Sequence, residues 1–184
     1  MSNAALVVLG LGSNRGDSCR IVFDAVRELG SVLADLQKAS LYKTAPLHVT
    51  DQAEFTNTAV SGNYEGSPEA LLACIHEIER RFGRDRTQER RWGERTLDID
   101  ILLFGEDQYK DPSLGNSGLE IPHPRLKERR FALEPLLELL PSAVEPGTGL
   151  SYRSICDRLP DQGVCRTTLL HFKVDSHGKH REHR

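Results

Sequence analysis

The chain has 184 residues, of which 38% are hydrophobic, 28% charged and 6% aromatic; that is one domain's worth, able to bury a core without disulfides or a structural metal. Its 24 basic residues against 27 acidic ones leave a formal charge of −3, which excludes an overall electrostatic pull toward nucleic acid or an anionic membrane, so any anion site must be built locally. No segment approaches the roughly 20 consecutive apolar residues that cross a bilayer, and no basic stretch followed by an apolar core opens the chain. A cytoplasmic monomer without a membrane or nucleic-acid partner is the expectation. Cys19, Cys74, Cys156 and Cys165 include no Cys-x-x-Cys spacing, which leaves buried thiols in a reducing compartment rather than a zinc or redox motif.

Leu6 to Leu11 is an apolar run closed by the turn-forming Gly12-Ser13-Asn14-Arg15-Gly16-Asp17. Ile21, Val22, Ala25, Val26 and Leu29 then recur at helical spacing, so the stretch predicts strand, plain turn, helix. A second strand is expected over Ala39 to Lys43 and a third over Phe55 to Asn63, with an irregular loop around Pro46 between them. Ser67-Pro68-Glu69 predicts an N-cap with proline at the first helical position, followed by a buried stripe of Leu71, Leu72, Ile75, Ile78 and Phe82 and an end near Gly83. The stretch from Arg84 to Arg95 adds Arg86, Arg90 and Arg91 to the nearby Arg81 and predicts a mobile surface loop.

Leu97 to Phe104 predicts a buried strand, closed by Gly105-Glu106-Asp107. Ile121-Pro122-His123-Pro124 forces an extended turn, and a short helix is expected over Phe131 to Leu140, beginning near Glu134 if Pro135 takes the first position. The domain is expected over 5–170. The polar, His-rich stretch 171–184 predicts a disordered tail, whose His177, His180 and His183 cannot hold a shaped site. The order β, α, β, β, α, β up to Phe104 predicts an α+β fold: a ferredoxin-like βαββαβ core with additional C-terminal elements in a three-layer α/β/α sandwich.

Asp98 and Asp100 stand two apart in the last of these strands, so both project from one face while Leu97, Ile99 and Ile101 fill the other. Two adjacent carboxylates on an apolar strand call for a partner, since burying them unpaired costs several kcal/mol or raises a pKa. Two partners fit. Hard carboxylate oxygens suit magnesium, which takes few protein ligands and leaves room for phosphates; alternatively Arg91 or Arg95 pairs with the aspartates at the surface. The arginine loop likewise reads either as guanidinium forks for phosphate or as a solvated face. Trp92 lies within it, to cover a nucleotide or to anchor the loop. His123 is presented between two prolines, as a functional group or as a satisfied turn histidine.

Taken together, Arg91-Trp92-Gly93-Glu94-Arg95-Thr96-Leu97-Asp98-Ile99-Asp100-Ile101-Leu102, with Gly12-Ser13-Asn14, Thr44-Ala45-Pro46, Phe55-Thr56-Asn57 and Pro122-His123-Pro124 in the same order, resemble the 6-hydroxymethyl-7,8-dihydropterin pyrophosphokinase family of folate biosynthesis. The resemblance covers about residues 5 to 160. It implies an ATP-dependent diphosphotransferase that moves the β,γ-pyrophosphoryl group of ATP to the pterin hydroxymethyl oxygen, leaving AMP, with two Mg2+ ions on Asp98 and Asp100. Arg84, Arg95, Asp98 and Asp100 would be catalytic. Arg84, Arg91 and Arg95 would contact phosphates, with Glu79, Trp92 and Ile99 ordering the ATP site, His123 touching the triphosphate and Arg129 assisting from the far side. Phe55 and Phe131 would stack on the pterin, and Thr44, Pro46, Leu47, Asn57 and Trp92 would surround its edge; without the motifs, the two phenylalanines would read as core. His48 departs from the small residue expected after Thr-x-Pro-Leu. A rival class is an RNA-binding ferredoxin-like module, although such sheets expose aromatics where this strand carries Asp98 and Asp100.

Overall fold

The computed structural model describes residues 4–45, 53–84, 95–106, 108–111 and 118–167. Its elements are β1 (Ala5–Ser13), α1 (Ser18–Leu29), β2 (Ala34–Lys38), β3 (Tyr42–Thr44), β4 (Phe55–Tyr64), α2 (Pro68–Arg81), β5 (Asp98–Phe104), β6 (Tyr109–Lys110), β7 (Glu120–Ile121), α3 (Arg130–Leu139), α4 (Tyr152–Arg158) and β8 (Cys165–Arg166). An antiparallel sheet runs in the order β5-β1-β4-β3-β8, with β2 also paired to β4, and β6 and β7 form a separate hairpin. The fold is mixed α/β, with four α-helices among the described residues. None of them is long and apolar enough to cross a membrane.

Alternation along β1 sorts the core. Val7, Leu9 and Leu11 enter one cluster with Ala25 and Leu29 of α1 and Leu71, Ile75 and Ile78 of α2. Val8 points the other way, into a second cluster with Leu133, Leu136 and Leu137 of α3 and Tyr152 and Cys156 of α4. Local chemistry starts both α1 and α2, at α2 through the cap expected there. The Asp17 carboxylate accepts from Arg20 N at 3.0 Å, and Ser67 Oγ accepts from Ala70 N at 3.3 Å with Pro68 at the start of α2; each cap satisfies an amide that has no partner within the helix.

Four expectations need correction. The strand expected over Ala39 to Lys43 covers mostly a break: Ala39 to Leu41 separates β2, which ends at Lys38, from β3, which begins at Tyr42, and there the Thr58 hydroxyl takes up the carbonyls of Ala39 and Ser40 in place of a strand partner. The third helix begins at Arg130, not near Glu134, and Pro135 lies inside it; packing of Leu133, Leu136 and Leu137 outweighs the missing proline donor. The cysteines are all free, but Cys156 alone is buried, Cys74 and Cys165 being exposed and Cys19 half-buried. Up to Phe104 the order is β, α, β, β, β, α, β, one strand more than the βαββαβ expected, and the β6–β7 pair, α3, α4 and β8 follow it. Residues 85–94 of the loop expected from Arg84 to Arg95, His48 and the tail over 171–184 lie outside the described residues.

Candidate active site

The site is built on the sheet face that looks toward α3. In register, Gly12 of β1 lies between Asn57 of β4 and Asp98 of β5, and Gly10 lies between Ala59 and Asp100. A Cβ at Gly12 would come within 2.9 Å of Asn57 Oδ1, and one at Gly10 within 3.2 Å of Leu102. The two glycines therefore keep a low floor between a carboxylate side and an amide side. Sequence reading missed them as site residues; two glycines spaced two apart in an apolar strand were the available signal.

On the amide side, Asn57 Nδ2 donates to Thr44 Oγ1 at 2.9 Å, and both residues are buried. The bond fixes the amide's orientation and leaves its carbonyl toward the floor. Phe55 stands two residues before Asn57 in β4 and so shares its face of the sheet, and Phe131 of α3 packs against the core cluster on the α3 side. Pro46 and Leu47, expected beside the pterin, lie outside the described residues.

On the carboxylate side, Asp98 accepts from both Arg84 and Arg95. Arg84 also bonds the buried Glu79, whose Oε1 in turn accepts from Ile99 N at 2.9 Å. Glu79 thus braces Arg84 and the backbone of β5 from behind. Ile99 itself is buried in the opposite cluster with its N–H committed to Glu79, so the structure does not bring its side chain to the site. Arg95 is placed by Asn14, whose Oδ1 accepts from Arg95 N at 2.8 Å while Asn14 N donates to Arg95 O at 3.1 Å. Asn14 is a third residue to which sequence reading assigned no site role, although it stands in the Gly12-Ser13-Asn14 motif, since a plain turn gives no hint of a partner 81 positions away. Arg91 and Trp92 lie outside the described residues.

Asp100 meets Arg129, whose Nη1 donates to its Oδ2 at 3.2 Å, and the His123 ring, whose Nε2 is 3.7 Å away. The Arg129 guanidinium sits 5.6 Å from the Phe131 ring centre, in cation–π range. His123 follows the cis Ile121–Pro122 bond and is fixed twice, its N donating to Leu102 O and its Nδ1 accepting from Arg125 N, both at 3.1 Å. A neutral His123 therefore carries its proton on Nε2, toward Asp100.

The two aspartates titrate apart. Burial pushes the Asp98 carboxyl up, but Arg95 and Arg84 outweigh it and hold it below the usual carboxylate range. For Asp100, burial and the Asp98 charge win over His123, Arg129 and Arg95, and the carboxyl is raised. Burial lowers the His123 imidazole despite Asp100, and lowers Arg129, which stays charged. Beyond the His123 turn, a cavity of about 470 Å3 is lined by Tyr109, Lys110, Glu120, Lys127 and Tyr152 as well as His123. Neither aspartate lines it, so the carboxylate chemistry belongs to the floor.

Residues 8–141 match the family described as 7,8-dihydro-6-hydroxymethylpterin-pyrophosphokinase (HPPK). The chain belongs to the HPPK family. Among curated relatives, the 2-amino-4-hydroxy-6-hydroxymethyldihydropteridine pyrophosphokinase of Methylorubrum extorquens is 37% identical over 86% of this chain and 96% of its own length. The Bacillus subtilis protein of the same name is 39% identical, covering 76% of this chain and 79% of its own. The mitochondrial folate synthesis bifunctional protein of Arabidopsis thaliana is 40% identical, yet this chain spans 26% of its length, and spans 28% and 20% of the pea and Pneumocystis carinii relatives. The crystal structure of Plasmodium falciparum HPPK-DHPS A437G with STZ-DHP shares the fold at a TM-score of 0.67 and 14% identity, over 85% of this chain and 45% of that one. HPPK membership places the Asp98–Asp100 pair within the matched span, as it does Asn57, His123 and Arg129.

Proposed function

We propose that the chain transfers pyrophosphate from ATP to 6-hydroxymethyl-7,8-dihydropterin, giving AMP and the pterin diphosphate in folate biosynthesis. The observation that carries this is the floor of Gly10 and Gly12, with Asp98, Asp100 and four basic side chains on one side and Asn57 with Thr44 on the other. One side suits a polyphosphate with its cation; the other suits the edge of a flat heterocycle. A sheet face carrying glycines and aspartates favours this chemistry over stacked RNA.

The donor set fits magnesium. Two adjacent carboxylates offer hard oxygens, Asp100 with 35% of its side chain open, and leave the remaining positions to water and phosphate. Asp98 and Asp100 would hold two such ions, which supply charge neutralisation across the triphosphate when bound. Asp98 cannot serve a cation and two guanidiniums at once, so ligand binding moves Arg84 and Arg95 from carboxylate toward phosphate oxygens. His123 and Arg129 bind the triphosphate from the Asp100 side, with Arg91 and Trp92 closing the ATP site. Thr44, Asn57, Phe55 and Phe131, with Pro46, Leu47 and Trp92, orient the pterin so that its hydroxymethyl oxygen attacks the β-phosphorus in line. The protein's share is mainly position and charge.

The strand order β5-β1-β4-β3 supports reading the core as ferredoxin-like, with α1 and α2 on one face and α3 and α4 on the other as a three-layer sandwich. The same reading takes the chain as a single domain over 5–170, a cytoplasmic monomer whose partners are its two small substrates. AMP release, followed with and without magnesium and the hydroxymethyl dihydropterin, is the test. Release must need both, and AMP formed at an equal rate without pterin would overturn the acceptor.

A further inference from the structure

The segment after α4 is tied to both ends of α3, and one residue of it brackets Arg129. At the far end, Arg166 Nη2 donates to Glu138 Oε1 at 3.0 Å, and β8 pairs with β3. At the near end, Gln162 Oε1 accepts from Arg130 N at 2.9 Å while Gln162 Nε2 donates to Glu128 O at 2.8 Å. A single carboxamide thus grips the backbone on either side of Arg129. That residue has extended backbone angles and gives α3 no side-chain cap of its own, so Gln162 also satisfies an amide that has no partner within the helix. Arg130 Nη1 adds a bond to Leu159 O at 3.3 Å. Gln162 lies beyond the matched span, which ends at residue 141.

We propose that Gln162 is a positioning residue for pyrophosphoryl transfer: its amide fixes the Arg129 backbone so that the guanidinium meets the triphosphate over Asp100. The proposal rests on the reading above, in which Arg129 serves ATP. A rotation at Arg129 is carried to the end of a long side chain, and a misplacement of about 1 Å can cost on the order of 10²-fold in rate. Only a group that both accepts and donates can hold residues 128 and 130 together. Glutamate keeps the acceptor but turns a negative oxygen toward the Glu128 carbonyl, and methionine keeps the shape with neither bond.

The experiment compares Gln162→Met, Gln162→Glu, Arg129→Ala and the Gln162→Met/Arg129→Ala double variant in the full-length protein. It measures kcat and KM for MgATP and for the pterin, together with Tm. Gln162→Met is expected to lower kcat/KM for ATP about five- to tenfold, with Gln162→Glu between it and the wild type. The pterin KM should stay within about twofold, and in the Arg129→Ala background the methionine should cost less than about twofold more. A role confined to capping α3 predicts a lower Tm with unchanged kinetics, or losses that multiply with Arg129→Ala; either outcome overturns the proposal while leaving Arg129's role intact. Unchanged ATP kinetics in Arg129→Ala overturns the reading of Arg129 itself, and the proposal with it. If Gln162→Met does not fold, Gln162→Glu carries the same comparison.

Discussion

Asp98 and Asp100 are chemically alike and two positions apart, yet their surroundings shift their carboxyls in opposite directions. The Asp98 carboxyl is held low by Arg95 and Arg84 against burial, so Asp98→Asn removes the acceptor of two guanidiniums and is expected to destabilise the unliganded protein by about 1–3 kcal/mol. Asp100 is raised by burial and by Asp98. A carboxyl with a folded pKa above its unfolded one costs stability at neutral pH, a cost relieved as pH falls through the folded value. Asp100→Asn should therefore raise the unliganded Tm, by at most about 1 kcal/mol or roughly 2–4 °C after allowing for solvent screening. Both variants should lose on the order of a thousandfold in AMP release, since several kcal/mol of charge stabilisation goes with the cation. A lower Tm for Asp100→Asn would show that its Arg129 bond outweighs burial. Gly12→Ala tests the floor: its Cβ would displace Asn57 Oδ1, 2.9 Å away, and the pterin KM should rise about tenfold with the fold retained. The alternation of the aspartates was legible in the sequence because strand geometry alone sets it. The brace of Glu79, the anchor of Asn14 and the glycine floor were not, because each depends on which strand lies beside which.

At the scale of elements, β3 enters the site through Thr44 and is held from outside by α3. The Glu138 carboxylate accepts from Ser40 N at 3.1 Å, from Ser40 Oγ and Tyr42 OH at 2.8 Å each, and from Arg166 Nη2 at 3.0 Å. Burial pushes this carboxyl up, but the Tyr42 and Ser40 donors and Arg166 outweigh it and hold it low. For a depressed carboxyl the stabilisation is full above the unfolded pKa, about 4.3 for glutamate, and is lost as pH falls through the folded value. Glu138→Gln should thus cost about 1–2 kcal/mol at pH 7, and the gap to wild type should close below about pH 4. Urea midpoints at both pH values check it, and a gap that persists in acid would place the loss in packing rather than charge. Propensity could not have shown this clamp. β2 is a polar edge strand of Ala34, Asp35, Leu36, Gln37 and Lys38 that pairs only because β4 offers a free side, whereas β1, β4, α1 and α2 carry their own periodicity and caps and were legible at once. Pro135 misled the expected start of α3 because burial of its neighbours, a tertiary effect, outweighed a local rule.

The whole molecule draws its site from positions far apart in the sequence: Gly10 and Gly12, Thr44, Asn57, Asp98 and Asp100, His123, and the Arg129–Phe131 corner. A ligand that touches several of these binds the folded state and not the unfolded one, so it must stabilise the whole cooperative unit. The two substrates should do so differently. In the proposed function MgATP would engage the carboxylate side, where two guanidiniums now share Asp98 and a cation would take their place. At a hundredfold excess over its Kd it should add about 2.7 kcal/mol, raising Tm by roughly 5–11 °C. EDTA should erase that rise, and so should Asp98→Ala. The side proposed for the pterin, with Thr44, Asn57 and the phenylalanines, draws on none of the carboxylates that would hold the cation, and its stabilisation should survive EDTA but fall in Asn57→Ala. Thermal melts of the wild type and the two variants, with each ligand and with or without chelator, read both halves at once. If EDTA removed both shifts, the pterin would depend on the cation as well, and the division of the floor into a phosphate side and a heterocycle side would fail.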